Sequence, residues 1–74
     1  MKNIKPRKAP WIDYANNELF EGDIIEHPDG EWGRIEFHRR FEMASDQWRV
    51  DYGNRILSRL CLQIGDKGQA VKAT

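Results

Sequence analysis

The chain has no long apolar run, a single cysteine and only two histidines in its 74 residues. Nothing in it predicts a membrane-spanning helix, and the basic residues at the start are not followed by the apolar segment of a signal peptide. Because Cys61 is alone, an internal disulfide is excluded, and a thiolate zinc site built from this chain is disfavoured. We therefore expect a cytoplasmic protein that does not contact a membrane.

Catalytic groups are also scarce. His27 and His38 are the only histidines, and no serine or cysteine lies at a spacing that suggests a nucleophile with its base. His27 has carboxylates nearby at Asp23, Glu26 and Asp29, but carboxylates on a turn are usually solvated and rarely form a specific metal site. The sequence predicts no enzymatic activity, no cofactor and no metal.

Charge is balanced in total and uneven along the chain. Twelve basic and twelve acidic residues give a net charge of zero. Residues 1–10 carry four bases and no acid, residues 11–36 carry eight acids and one base, and residues 37–74 carry seven bases and four acids. This segregation predicts separate acidic and basic surfaces.

The first ten residues, MKNIKPRKAP, contain two prolines, four bases and one isolated apolar residue, Ile4. Such a segment buries too little surface to offset the entropy of ordering it, so it is predicted to be a flexible basic arm. Residues 11–74 are then a single small domain. Within it, the apolar spacing of residues 11–20 favours a short helical turn over a strand.

From residue 24 onward the patterns are mostly β. A short strand at Ile24 and Ile25 should end at His27-Pro28, and Pro28-Asp29-Gly30 has the chemistry of a turn. In the following run, EWGRIEFH, alternation puts Gly33, Ile35 and Phe37 on the core face. Trp32, Arg34, Glu36 and His38 are predicted to lie on the opposite, outer face.

A second hairpin is predicted in DQWRVDYGNRIL, residues 46–57. Trp48, Val50 and Tyr52 alternate with charged residues, and Gly53-Asn54 fits a two-residue connection with glycine first. The returning strand would run to Ile64 with Leu60, Leu62 and Ile64 on one face. Residues 39–46 are predicted to form an exposed loop pinned by Phe41 or Met43, and the last residues either an edge strand or a frayed end.

Four to five short strands within about fifty residues favour a small all-β, SH3-like antiparallel barrel. Its predicted core draws one or more residues from each strand: Ile24 or Ile25, Ile35, Phe37, Val50, Leu60, Leu62 and Ile64. An open three-stranded sheet covered by a helix over residues 11–20 would bury the same residues and stays an alternative.

Residues 22–64 resemble small SH3-like barrels of the Tudor and KOW kind, in which a strand opens with Gly-Asp and a later strand runs into Asp-Tyr-Gly-Asn. These motifs are Gly22-Asp23 and Asp51-Tyr52-Gly53-Asn54 here. The phrase GDIIEHPDGEWGRI, residues 22–35, is also similar to the start of CarD-type domains that bind RNA polymerase. The resemblance implies the fold more than a function; a Tudor-type aromatic cage would use Tyr52, with Trp32 and Trp48 as candidate walls.

An exposed Trp32 beside cationic neighbours is predicted to be a contact point for a protein or a stacking platform for a base. A basic ridge and the basic arm would supply phosphate contacts. The candidate binding residues are Trp32, Arg34, His38, Arg39, Arg40 and Arg49 on the domain, with Lys5, Arg7 and Lys8 in the arm. The alternatives are a Trp32 that packs against Trp11 and a solvated face paired with acidic side chains.

Together these features predict a non-enzymatic binding module that contacts nucleic acid or a nucleic-acid-associated complex. The rival hypothesis is a protein–protein adaptor or inhibitor that uses the acidic segment 13–36. A dimer is compatible with this hypothesis. A third hypothesis follows from a resemblance in length and strand layout to plasmid-type dihydrofolate reductases. Their pore strand reads Val-Gln-Ile-Tyr, whereas Leu62-Gln63-Ile64 here lacks the tyrosine.

Overall fold

The structure, a computed structural model, describes residues 6–53 and 56–73. In that part of the chain the elements follow one another as β1 (Lys8–Ile12), β2 (Glu18–Phe20), β3 (Ile24–Glu26), β4 (Trp32–Phe37), α1 (Ala44–Gln47), β5 (Trp48–Asp51), β6 (Leu57–Arg59), α2 (Leu60–Ile64) and β7 (Val71–Lys72).

Two antiparallel sheets contain these strands. β1 pairs with β2, and the other five strands form a sheet of order β6-β5-β4-β3-β7. β3 to β6 therefore form a meander, and β7 returns to pair with β3 on its free side. The predicted antiparallel β fold is confirmed. The sheets are not closed into a barrel, so the SH3-like barrel itself stays a prediction.

The middle of the chain folds as its residue pattern predicts. β3 ends at Glu26, directly before His27-Pro28, and Gly30 takes a φ of 95° that favours glycine in the following turn. Along β4, buried and exposed side chains alternate from Trp32 to Ile35. The two predicted faces of this strand are confirmed.

The prediction for the N-terminal segment is wrong from Lys8 onward. Residues 8–10 belong to β1, in which Ala9 is buried, rather than to a flexible arm. 

Ala9 packs against the core from β1, and backbone pairing with β2 satisfies the hydrogen bonds of this segment. Composition alone does not reveal that another strand pairs with this segment, so it predicts a flexible arm instead of a strand. Residues 1–5, including Lys2 and Lys5, lie outside the described residues.

The predicted helical turn over residues 11–20 is also wrong, because Trp11 and Ile12 end β1, residues 13–17 form a turn and β2 begins at Glu18. The Asp13 carboxylate accepts the backbone N–H groups of Ala15 and Asn17 at 2.8 and 2.7 Å, which folds the chain back on itself. Asn16 takes a φ of 69°, a left-handed conformation that asparagine tolerates. Local side-chain bonds therefore prevail over the helical spacing of the apolar residues.

The predicted long strand ending at Ile64 breaks after Arg59, where α2 begins. Leu60 and Ile64 are buried while Leu62 is 60 % exposed, so the apolar face follows the i, i+4 spacing of a helix rather than the alternation of a strand. Gly68 closes the turn after α2, and a Cβ at that position would overlap the Gln63 carbonyl group. The resemblance of Leu62-Gln63-Ile64 to a pore strand therefore has no strand to support it.

The connection between β5 and β6 is longer than predicted. Asp51 pairs with Leu57, so five residues separate the strands where the sequence predicted a two-residue turn at Gly53-Asn54. Asn54 lies outside the described residues. Residues 39–46 are only partly a loop, since α1 begins at Ala44; Phe41 is half-buried there and Met43 is exposed. β7 confirms the edge-strand alternative for the last residues.

The core lies between the five-stranded sheet, the β1–β2 ribbon and α2. Its buried side chains come from almost every element: Ala9, Leu19, Ile25, Ile35, Trp48, Val50, Leu60, Ile64 and Ala70. Phe37 packs against Trp48 with ring centroids 5.1 Å apart. The predicted core is confirmed except at Leu62.

Asp13 joins the first and last parts of the chain, and we call its contacts the Asp13 junction. It is only 3 % exposed, and its carboxylate accepts the backbone N–H of Lys72 at 2.7 Å as well as the N–H groups of Ala15 and Asn17. The Asn17 side-chain amide donates to the second oxygen at 3.0 Å. The β1–β2 ribbon is thereby fastened to β7.

Candidate binding surface

The side of the five-stranded sheet that faces away from the core, here called the outer face, carries the candidate binding residues. On β4 it presents Trp32, Arg34 and Glu36, because these alternate with the buried positions. The register places Asp51 of β5 opposite Arg34, and Arg49 opposite Glu36. Directly paired residues share a face in an antiparallel sheet, so this surface is a regular array of charges beside one tryptophan.

Trp32 is 60 % exposed, which confirms the predicted outward orientation. It lies opposite Glu26 of β3. It also lines a shallow groove of about 340 Å³ together with Ile24, Gly33, Arg34, Asp51, Tyr52 and Gly53. An indole at the wall of a groove offers a large contact area with little conformational entropy to lose on binding.

Tyr52 also lines this groove, and its ring packs over the buried side of Gly33. A Cβ at Gly33 would lie only 2.8 Å from carbons of the tyrosine ring, so the bare backbone makes room for the ring. The Tyr52 hydroxyl donates a hydrogen bond to Gln63 Oε1 at 2.7 Å, which ties the strand to α2. Tyr52 is thus held in place by its contact with Gly33 and by its hydrogen bond to α2.

Four carboxylates lie near the Trp32 groove, and we call this end of the sheet the acidic end. Glu26 lies opposite Trp32, Asp51 lines the groove, and Asp29 and Glu31 are near enough to act on Tyr52. Arg34 is the cationic side chain that lines the groove. Burial raises the pKa of Tyr52 to about 12, and the negative charges of Glu31 and Asp29 add to that effect. The same negative potential favours a cationic group in the groove.

The arginines lie at the other end of the face, here called the basic end. His38, Arg39 and Arg40 follow β4, about 20 Å from Trp32 at the rise of an extended strand. The predicted basic ridge is not continuous, because Glu36 lies between its members: Arg34 Nη2 is 3.4 Å from one Glu36 oxygen and His38 Nε2 is 3.1 Å from the other.

Arg49 is largely occupied by contacts within the protein. Its Nε donates to the Asp46 carbonyl at 2.7 Å, and its guanidinium lies 5.1 Å from the centre of the Phe41 ring. Asp46 also approaches Arg59 Nη2 at 2.8 Å, an electrostatic contact without good hydrogen-bond alignment. Arg39 and Arg40 are exposed, although Arg40 covers Phe41 at 5.0 Å.

The described basic residues of the N-terminal segment lie away from the Trp32 groove. The Arg7 guanidinium lies 4.6 Å from the centre of the Phe37 ring, and Lys8 Nζ is 2.7 Å from a Glu18 oxygen. The hydrogen bond and charge of Lys8 lower the pKa of Glu18. The structure therefore does not bring Arg7 or Lys8 together with Trp32. The third predicted arm residue, Lys5, lies outside the described residues.

Two further features bear on function. Among residues 6–53 and 56–73, no group of three or more histidine, cysteine, aspartate or glutamate side chains is arranged to hold a metal ion. Nor does any helix in the same ranges have the length and apolarity to span a membrane. His27 lies beside Asp29, with Nδ1 and Oδ1 3.2 Å apart.

Sequence reasoning found Trp32 and Arg34 but missed Glu26 and Asp51 as their neighbours. Alternation within one strand shows which way a side chain points, whereas neighbours on other strands depend on register. The hairpin turn at Pro28–Gly30 could have placed Glu26 opposite Trp32.

Comparison of the chain with protein-family models, with curated proteins and with solved structures finds no match. The resemblance to Tudor, KOW and CarD-type domains therefore stays a prediction.

Proposed function

We propose that the protein is a non-enzymatic binding module whose outer face binds a positively charged segment of a protein partner. The observation that carries this proposal is the exposed Trp32 in a groove at the acidic end. Aromatic side chains at grooves are frequent hot spots of protein interfaces, and nearby carboxylates add attraction for lysine or arginine. This corresponds to the adaptor hypothesis more than to the nucleic-acid hypothesis.

The separation of charge argues against nucleic acid at Trp32. A base stacked on an aromatic platform needs cationic side chains nearby for its phosphates. Around Trp32 the acidic side chains Glu26, Glu31 and Asp51 outnumber Arg34, and they would repel a phosphate backbone. The predicted combination of Trp32 with the arginines is therefore weakened by the 20 Å scale of their separation along β4.

A second candidate function is nucleic-acid binding at the basic end alone. Arg39 and Arg40 are adjacent and exposed there, which is the observation that favours it. Such binding would have little base stacking and would depend strongly on salt.

We also propose that the fold is SH3-like. The meander β3 to β6 is followed by the short α2, and β7 then returns to the first strand of the meander. This order brings the two ends of the domain together, as in a strongly bent sheet. The proposal concerns fold alone and assigns no ligand.

The proposed function is tested by fluorescence anisotropy at low salt. The probes are labelled peptides of equal length, one rich in lysine and arginine and one rich in glutamate, with single-stranded and double-stranded DNA and RNA of matched charge. We expect the basic peptide to bind, and Trp32→Ala to weaken that binding about tenfold or more.

Met43→Ala is the matched control, because Met43 is also an exposed apolar side chain but lies outside the groove. It should leave the affinity unchanged. Binding of the nucleic acids alone, lost in Arg39→Ala/Arg40→Ala, would replace the proposal by the second candidate function. Failure of every probe to bind would reject both.

A further inference from the structure

We propose that a second copy of this chain is a partner of the outer face, docked face to face with its strands running in the opposite direction. In this arrangement the acidic end of each copy covers the basic end of the other. The inference rests on the proposed function in using the same face, and it names the partner. It comes from the order of charges on β4 and β5.

The charges on β4 change sign about Ile35. Arg34 and Glu36 are the outer-face residues on either side of it. A two-fold axis that lies in the plane of the interface, perpendicular to the strands at Ile35, would place Arg34 opposite the partner's Glu36. The same axis places Glu36 opposite the partner's Arg34, so both pairs are attractive.

The neighbouring strand repeats this pattern. Asp51 pairs with Arg34 across the sheet and Arg49 pairs with Glu36, so the same axis brings Asp51 towards the charge of the partner's Arg49, whose guanidinium keeps its contacts with Asp46 and Phe41. The sign is again opposite. Two adjacent strands therefore show the same complementarity about one axis.

The ends of β4 extend the match. Trp32 and His38 lie equally far from Ile35 in sequence, and strand alternation assigns both to the outer face. The axis thus brings Trp32 towards the partner's His38. The exposed indole would be covered by the basic end of the partner copy, and the negative potential of the groove attracts that positive charge.

The other in-plane axis, parallel to the strands, would place the acidic ends together and the basic ends together. Like charges juxtaposed at an interface cost several kcal/mol, as a general rule. Charge therefore selects the reversed orientation over the parallel one.

The size of the face sets the expected strength. The five strands of this face have two to six residues and cover roughly 24 by 12 Å, which corresponds to about 600 Å² of total buried surface for two copies. This is smaller than the interfaces of stable dimers. We expect a dimer that forms and dissociates with concentration and weakens as salt is added.

The experiment is sedimentation velocity on the full chain over a range of concentrations, at low and at high salt. Wild type should show a concentration-dependent dimer at low salt. Arg34→Glu alone and Glu36→Arg alone should each weaken dimerisation about a hundredfold, because the two-fold axis turns each change into two repulsive pairs.

Mixing the two single variants is the decisive step. A heterodimer of Arg34→Glu with Glu36→Arg has two attractive pairs, so dimer should return in the mixture although each variant alone is monomeric. The double variant Arg34→Glu/Glu36→Arg should also dimerise. Lys67→Glu, a charge reversal in the exposed turn after α2, is the matched control and should behave as wild type.

A wild-type protein that stays monomeric at low salt up to about 1 mM, where even weak interfaces are populated, would overturn the inference. Dimerisation of both single variants at wild-type strength would overturn it too, because the interface would then lie elsewhere. If the monomer still binds the basic peptide through Trp32, the proposed function stands without the dimer. A dimer that binds no probe would leave self-association as the role of this face.

Discussion

The Asp13 junction and the outer face around Trp32 use carboxylates in opposite ways. Asp13 is buried, and each of its oxygens accepts hydrogen bonds from groups of the same chain. The carboxylates near Trp32 lie on a surface that faces solvent, beside an indole that contributes little to the core. A buried carboxylate with its donors stabilises the fold, whereas exposed carboxylates provide potential for a partner.

This contrast predicts that stability and binding can be changed separately. The largest expected effect is that of Asp13→Ala, which leaves the backbone N–H groups of Ala15, Asn17 and Lys72 without their acceptor. The loss should be about 3 kcal/mol or more in the free energy of unfolding. Chemical denaturation followed by circular dichroism measures it.

Asp13→Asn is the control for that change, because it keeps one side-chain oxygen as an acceptor. It should lose less stability than Asp13→Ala. Equal stability of Asp13→Ala and wild type would show that the junction does not hold the ribbon to β7.

A smaller effect that reaches both regions is expected for Gly33→Ala. The added methyl group would overlap Val50 and the Tyr52 ring, one in the core and the other at the groove. We expect a loss of about 1–3 kcal/mol from overpacking, together with weaker binding of the basic peptide. Gly22→Ala is a useful comparison, since a Cβ there meets nothing within 4 Å, although its φ of 91° adds backbone strain. A fully stable Gly33→Ala protein with unchanged binding would contradict the close approach of Tyr52.

Acid should weaken the Asp13 junction and with it the stability of the fold. Burial by itself raises the pKa of Asp13, but the hydrogen bonds from Lys72, Asn17 and Ala15 outweigh it, and the pKa lies below its ordinary value of 3.8. The stability contributed by this lowered pKa is complete above the pKa of the unfolded chain and is lost as pH falls through that of the folded protein. Unfolding free energies measured between about pH 5 and pH 2 should therefore fall more steeply for wild type than for Asp13→Asn. Parallel curves would assign the acid sensitivity to other carboxylates.

The smallest effect on stability is expected for Trp32→Ala, which removes an exposed side chain. The free energy of unfolding should change by no more than about 0.5 kcal/mol, as for other surface positions. Thermal unfolding with peptide titration on the same sample separates the two quantities. A large loss of stability would mean that Trp32 holds the fold together, and the distinction between the two regions would fail.

Much of the central meander could be predicted from the sequence, and less of the segments before and after it. β3, its turn and β4 follow from alternation, a proline and a glycine, all of which act locally. The reversal of the chain at residues 13–17 and the start of α2 depend on contacts that spacing does not encode. The hydrogen bond from the Lys72 backbone N–H to Asp13 joins residues 59 positions apart. At Leu60 a helix begins where the alternation of residues predicted a strand.

The candidate site could also be predicted only in part. The outward orientation of Trp32 could be read from β4 alone, because one strand determines it. The separation of Trp32 from Arg39 and Arg40 follows from the length of the strand, so the prediction that these residues form one surface is not supported by the position of β4. The positions of Glu26 and Asp51 beside Trp32 and Arg34 depend on the register of the neighbouring strands, which β4 alone does not determine.

The bond between Asp13 and Lys72 also constrains the order in which the protein can fold. The two residues are 59 positions apart, so the bond requires closure of a loop that contains most of the chain. The β3–β4 and β4–β5 hairpins join near neighbours and can form first. During synthesis, the β1–β2 ribbon emerges early but cannot be fastened until residue 72 has left the ribosome. Until then the ribbon lacks its hydrogen bond to β7, and incompletely folded chains with exposed apolar side chains are prone to aggregation.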